Sequence, residues 1–376
     1  MDFALNEDHL ALREAVQRFC DGEYPAEQRG NPQTEAQRRQ RWQAMADLGL
    51  LGLPFPGDCG GSEQGPVELM LVAQEFGRAL GGGAWLASTV MAGQLLARLG
   101  SAAQQQQWLP RLASGELQAA LALQEPGTRY EWQQVSTRAS RNAAGHVLNG
   151  RKTLVLDGDS ADLLLVVARS SGASDDRQGL SVLLVDARSP GVQLQGFDTL
   201  DGRRAAHVSF EQVQVADDCL LGQEGQAADE IEAVLDAANA LLCAEAAGAV
   251  ETLLAQSADY LKTRKQFGAP LAKFQVLQHR IADIAIALEQ LKSIACAAAA
   301  VQGEEPAKRR RVVSAAKAYA SQQGRQIGLT AIQLHGGMGM TDECRIGHYT
   351  KRLLVIGQLL GDAAWHLQRV AAQGAA

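Results

Sequence analysis

Between residues 225 and 376 the chain has prolines only at Pro270 and Pro306, and apolar residues recur there at helical spacing. An interior proline removes a backbone hydrogen bond and clashes with the preceding turn, so a stretch nearly free of it can extend as long helices. Four are expected, at about 227–262, 272–301, 307–334 and 346–373. In the second, Phe274, Leu277, Ile281, Ile284, Leu288, Leu291 and Ala295 fall at steps of three and four, which makes one continuous buried stripe. Pro306 suits the first turn of the third helix, where Glu304 and Glu305 complement the helix dipole. Long helices joined by short loops pack as a four-helix bundle. The run Lys308-Arg309-Arg310-Arg311 reads as a solvated face of it.

Upstream, residues 1–118 also read as helical. Phe3 and Leu5 precede Asn6, a suitable N-cap, and Leu10, Leu12, Val16 and Phe19 keep one face apolar. Trp42, Met45, Leu48 and Leu51 repeat the pattern before Pro54-Phe55-Pro56-Gly57. Leu69–Leu80 and Ala84–Leu99 are further helical stretches, divided by Gly81-Gly82-Gly83. From 119 to 224 the period shortens to that of strands: Leu121–Leu123, His146–Leu148, Leu154–Leu156, Leu163–Val167, Leu180–Val185 and Val208–Phe210. Regular short strands without intervening helices indicate an antiparallel sheet or barrel. Asn149-Gly150 has the chemistry of a hairpin turn. The expected order is therefore a helical domain (1–118), a β-barrel or sandwich domain (119–224) and a helical bundle (225–376).

The net charge of −7 weighs against nucleic acid and anionic membranes as partners, since both need a positive face. No uninterrupted apolar run suggests a membrane span, and the N-terminus lacks a signal pattern, so a cytoplasmic location is expected. Cys20, Cys59, Cys219, Cys243, Cys296 and Cys344 lie far apart without a CxxC pair, and the histidines lack metal-site spacing; no metal is expected.

Chemistry concentrates at Tyr260–Asp283, where Arg264, Gln266 and Phe267 crowd a loop punctuated by Gly268 and Pro270. A forked cation, an amide and an aromatic ring between helices suit an anionic, aromatic ligand; they equally suit a helix corner with a solvated arginine. The wider sequence favours the first. The stretches FALNEDHLALREAVQRF, LGLLGLPFPGDCGGS, QQQQWLPRLASGE, LALQEPG, VLNGRKTLVLDG, FEQVQVADDCLLGQEG, RKQFG and QLHGGMGMTDE follow one another as their counterparts do in the acyl-CoA dehydrogenases. The chain resembles that family over almost its whole length.

The resemblance implies an FAD-dependent α,β-dehydrogenation of an acyl-CoA thioester. A carboxylate takes the α-proton, the β-hydrogen leaves as hydride, and hydrogen bonds to the thioester oxygen stabilise the enolate-like transition state. In the family the FAD lies across a subunit interface. One subunit contributes its β-domain wall; the neighbour contributes the residues corresponding to Arg264, Gln266, Phe267, Gln333, Gly336 and Gly337, all present here. An arginine fork suits a diphosphate, and a Gly-Gly backbone admits phosphate oxygens to its amides.

The β-domain wall departs from the pattern. The usual TEP motif is Gln124-Glu125-Pro126 here, and Leu154-Val155-Leu156 replaces Trp-Ile-Thr. Leu360 occupies the usual position of the catalytic Glu, and Ala238 the alternative one, with Asn239 in place of an Arg and Asp236 retained. Asp362 is the nearest carboxylate in sequence to the vacant position; Glu245 and Glu251 read as structural or interfacial. This asymmetry resembles the small subunit of heteromeric, pimeloyl-CoA dehydrogenase-like enzymes, which assemble as α2β2 tetramers with a catalytic large subunit. An acyl-CoA substrate and an electron-transferring flavoprotein as acceptor are what that resemblance implies. A self-sufficient homotetramer with a relocated base, and a non-catalytic binding protein on the same fold, are the alternatives.

Overall fold

The computed structural model describes residues 5–143 and 145–374; Phe3 of the expected opening pair lies outside them. In chain order the helices are α1 (Glu7–Glu23), α2 (Glu35–Asp47), α3 (Pro66–Ala79), α4 (Gln94–Leu99, continuing a π-helical segment Leu86–Gly93) and α5 (Ala102–Ala113). The strands follow as β1 (Ala119–Ala122), β2 (Arg138–Asn142), β3 (Gly145–Leu156), β4 (Leu163–Arg169), β5 (Leu180–Asp186), β6 (Val192–Asp198), β7 (Arg204–Val215) and β8 (Leu220–Leu221). The C-terminal part is α6 (Ala228–Thr263), the short strands β9 (Lys265–Gln266) and β10 (Ala269–Pro270), then α7 (Gln275–Ala300), α8 (Pro306–His335), α9 (Ile346–Ile356) and α10 (Ala363–Gly374).

The chain forms two compact units. One comprises 33–64 and 83–238, hence α2, the π-helical segment, α4, α5 and the sheet. The sheet runs β6-β7-β3-β2-β4-β5-β8, with β1 also paired to β4. Most pairings are antiparallel, while β1 and β2 lie parallel to β4. Every residue of β4 is buried, as are all but the last of β5, which accounts for their unbroken apolar runs. Asn149-Gly150 does not form the expected hairpin turn. It lies inside β3, where the pairing with β7 shifts register, and Asn149 Oδ1 accepts a bond from Gln212 N at 2.8 Å. The hairpin reverses instead between Asn142 and Gly145, which pair directly. Gly150 keeps a positive φ of 151°, but pairing with β7 turns the irregularity into a register shift rather than a chain reversal.

The other unit takes the chain up to Pro32, then 65–82 and 239 onward. Its entry helix α1 is fixed by a capping box, with Asn6 Oδ1 accepting from His9 N at 2.8 Å. α8 packs against α7, α9 and α10. Helices α3 and α6 approach until backbone meets backbone. A Cβ on Gly77 would lie 1.9 Å from the Glu245 carbonyl oxygen, and one on Gly248 1.9 Å from that of Gln74. Helix α6 contains a window that by length and mean hydropathy alone could cross a membrane. That window is 94% buried inside the protein, so its apolarity serves the core.

The expected fourth helix is broken. Between α9 and α10 the chain turns through Leu360 (φ 55°) and Gly361 (φ 123°), backbone that an α-helix excludes. The basic run is not a uniformly solvated face either. Lys308 and Arg311 are exposed, whereas Arg309 is buried at 9% exposure.

Candidate functional site

Helix α6 ends in a tight hairpin that carries three of the sequence-predicted residues. Arg264 N donates to Tyr260 O at 2.9 Å, the last turn of the helix, and Leu271 N returns to Arg264 O at 2.9 Å. Gln266 pairs with Ala269, leaving Phe267 and Gly268 as a two-residue turn. Both have positive φ, 52° and 76°, as a type I′ turn demands. Glycine meets that demand freely; phenylalanine does so at a cost of roughly 1–3 kcal/mol. Phe267 is also 89% exposed, its ring touching Phe274 edge-on with centroids 6.0 Å apart. Arg264 and Gln266 are exposed as well. Strained backbone bearing an exposed aromatic beside an exposed guanidinium does nothing evident for the stability of the lone chain, and is suited to an external ligand.

Gln333, Gly336 and Gly337 lie at the end of α8, in the same unit. Gly336 caps the helix with φ 59° and ψ −140°, and its N–H donates to Gln333 O. Gly337 has no positive φ, and a Cβ there would meet nothing within 4 Å. Neither conformation nor packing requires glycine at 337, so the open approach to its backbone is what the residue supplies. Gln333, Met338 and Met340 are exposed around it.

One contact joins the two segments. The Tyr260 and His335 rings stack with centroids 4.4 Å apart, and Tyr260 Oη donates to His335 O at 3.3 Å. The structure thus brings together Arg264, Gln266 and Phe267 with Gln333, Gly336 and Gly337 through the residues at their roots. Gln124 belongs to the other unit. Its side-chain amide donates to Arg129 O within its own loop, and its backbone carbonyl accepts from Thr153 N at 2.8 Å. Glu125 anchors that loop. It accepts from the buried Lys152 Nζ at 2.7 Å and from Ser136 N and Thr137 N at 2.8 and 2.9 Å. In the wall that follows, Val155 is buried, Leu154 takes φ 48°, and Leu154 and Leu156 are half-buried.

The loop bearing Leu360 is held from beneath by polar groups that sequence reasoning missed. Lys317, fully buried on α8, donates from Nζ to Leu359 O and Gly361 O, both at 2.9 Å. Asn239 Nδ2 reaches Leu360 O at 3.5 Å. Asp362 caps α10, with Oδ1 accepting from Trp365 N at 2.9 Å. That bond commits one of its oxygens to the backbone. Ala238 is fully buried, and Asp236 likewise. Glu245 makes a buried two-point ion pair with Arg352, at 2.8 and 2.7 Å, while Glu251 meets Lys292 at 2.8 Å. A signal for Lys317 did exist, as a lone lysine on the apolar face of α8, but spacing says nothing about carbonyls 42 and 44 residues away.

Residues 6–116, 120–213 and 229–375 match, in order, the N-terminal, middle and C-terminal domains of acyl-CoA dehydrogenases. Over 314 residues the sequence is 31% identical to the mitochondrial 2-methylacyl-CoA dehydrogenase of Solanum tuberosum, covering 81% of this chain and 75% of that protein. The chain belongs to the acyl-CoA dehydrogenase family. Its structure is similar to a chain of the ChsE4-ChsE5 complex from Mycobacterium tuberculosis, with a TM-score of 0.88, 27% identity and coverage of 100% and 99% of the two chains. It also shares the fold of PigA, solved as an FAD complex, at a TM-score of 0.91 and 23% identity, covering 100% of this chain and 99% of that one.

Against the family's chemistry the buried groups near Leu360 have a measurable signature. Burial pushes the Lys317 ammonium down to about 8, against the attraction of Cys243 and Asp362. Burial, with Lys317 and Arg369 nearby, pushes the His366 imidazole down to about 2. For both, the folded state binds fewer protons than the unfolded chain between the two pKa values, so stability rises with pH across that interval. Acidification below the ordinary histidine range is expected to cost about 1.4 kcal/mol per pH unit through His366. Stability should rise again from pH 8 towards the ordinary lysine range as Lys317 sheds its proton. Urea denaturation across pH checks both; His366→Leu should flatten the acid limb and Lys317→Met the alkaline one.

Proposed function

We propose that this chain is the FAD-clamping subunit of a heteromeric acyl-CoA dehydrogenase, completing the flavin site of a catalytic partner. One observation carries the reading. The residues that would serve a neighbour's cofactor are present, joined and exposed, whereas the base position holds a leucine on a rigidly held loop. The clamp fits the group: an exposed Arg264 fork for the pyrophosphate, the open backbone at Gly336-Gly337 for its oxygens, and the Phe267 ring for an aromatic face.

When bound, FAD supplies the hydride acceptor. The α-proton would pass to a carboxylate of the partner, since Leu360 and Ala238 accept none and Glu245 is spent on Arg352. This chain's own residues would bind and orient the cofactor's phosphates. The substrate class is an acyl-CoA thioester, and the assembly a tetramer containing both subunits.

The test is co-expression with a family member that carries glutamate at the position of Leu360, ideally from a neighbouring gene. Arg264→Ala in this chain should weaken FAD retention by the complex roughly 10- to 100-fold, the size of one or two lost charge-assisted bonds. Unchanged FAD affinity in that complex contradicts the proposed role of Arg264.

A further inference from the structure

The two halves of the clamp are remote in sequence, and each is short, exposed and irregular. The hairpin 264–270 hangs from the end of α6, with its Phe267 ring touching Phe274 edge-on. The segment 336–340 is a 3-10 turn following α8, with Gly336 and Gly337 open to solvent and Gly339 buried. Two such pieces hold one ligand only if their separation is fixed before it arrives. We propose that Tyr260 and His335 are positioning residues that lock these halves together, so that the clamp is preformed. The inference rests on the FAD-clamp reading above and adds to it which residues set the clamp's geometry.

Three features support it. First, the two residues stand at the roots: Tyr260 O receives the Arg264 N–H, and His335 directly precedes Gly336. A shift of either ring therefore moves the segment attached to it. Second, the contact is two-point. The rings stack at 4.4 Å and 26°, and the phenol donates to the His335 carbonyl at 3.3 Å, which resists both sliding and rotation. Third, His335 has its own anchor. Its ring is buried, burial lowers its pKa, and Nδ1 lies 2.9 Å from Ala331 O, where it donates one helical turn back. The imidazole is thus held neutral and in one orientation against the end of α8. Tyr260 is half-buried, so its substitution leaves the bundle core untouched.

Hydrogen exchange of the isolated chain tests the lock without flavin. In Tyr260→Leu, amides in 264–270 and in 336–340 should exchange faster together, by roughly three- to tenfold, the range expected for losing one aromatic pair. Tyr260→Phe keeps the ring and should restore most of that protection in both segments. Protection in α7 and α9 should remain as in the parent protein. The inference is overturned if only one segment responds, if neither does, or if Tyr260→Phe behaves as Tyr260→Leu does. FAD titration of the co-expressed complexes separates the two readings. Coupled exchange with unaltered FAD affinity in Tyr260→Leu would keep the lock and reject its role in the clamp. Loss of FAD affinity in Tyr260→Leu with recovery in Tyr260→Phe supports both.

Discussion

Gly248→Ala is expected to unfold the helical unit or to lower its denaturation midpoint drastically. In most helices this substitution stabilises by up to about 1 kcal/mol, because alanine loses less backbone entropy than glycine. Here the new Cβ would sit 1.9 Å from Gln74 O, 2.8 Å from Gln74 C and 2.9 Å from Arg78 N. All three are backbone atoms of α3 and its end, so no side chain can rotate aside. The crossing is reciprocal, with Gly77 pressed on the carbonyl of Glu245, and the helices would have to separate along their contact. Overpacking costs of roughly 1–3 kcal/mol refer to cores that can shift side chains; a forced helix separation exceeds them and is large against a typical stability of about 5–15 kcal/mol. Gly22→Ala serves as the control. It lies in α1 with nothing within 4 Å of its Cβ, and should be neutral or slightly stabilising. Circular dichroism with urea denaturation of both variants reads the opposite signs. Equal effects would mean that α3 and α6 do not cross at this distance.

The second large effect belongs to the buried pair Glu245–Arg352, whose side chains are 8% and 3% exposed. Removing one partner leaves a charge without its counter-ion in the bundle. Glu245→Leu or Arg352→Met alone is therefore expected to cost about 3–5 kcal/mol. The double variant removes both charges together and should recover much of that loss, giving a coupling energy well above the error of denaturant midpoints. Simple additivity of the two single losses would show that the pair is not formed in solution. The same pair bears on function. A Glu245 committed to Arg352 is unavailable as a general base, so Glu245→Gln should alter stability and, if the heteromeric assembly proposed above forms, leave its turnover unchanged.

Much of this architecture is legible in the sequence because it rests on periodicity. The stripe from Phe274 to Ala295 predicts α7, and Pro306 marks the first residue of α8. The shift to short apolar runs after residue 119 predicts the sheet. Periodicity fails where a distant partner overrides a local preference. Asn149-Gly150 has the chemistry of a turn, yet β7 draws it into a strand with a register shift. Leu360 is an ordinary helix former, but Lys317 and Asn239 bind the carbonyls around it and α10 begins afresh at the Asp362 cap. Arg309 sits in a charge run and is nevertheless buried. The proposed clamp residues are readable because their types and order are specific to a family. Their coupling through Tyr260 and His335 is not, since a ring stack across 75 residues leaves no local trace.

With leucine at position 360 and the proposed clamp exposed, ownership of the flavin is open to a direct test. Flavin absorbance of the purified chain, measured alone and after co-expression with a glutamate-bearing family member, tests it most directly. Little bound flavin and no acyl-CoA-dependent reduction of an electron acceptor are expected for the chain alone, with FAD and activity appearing in the complex. Stoichiometric FAD and turnover by the chain alone would contradict the proposed function.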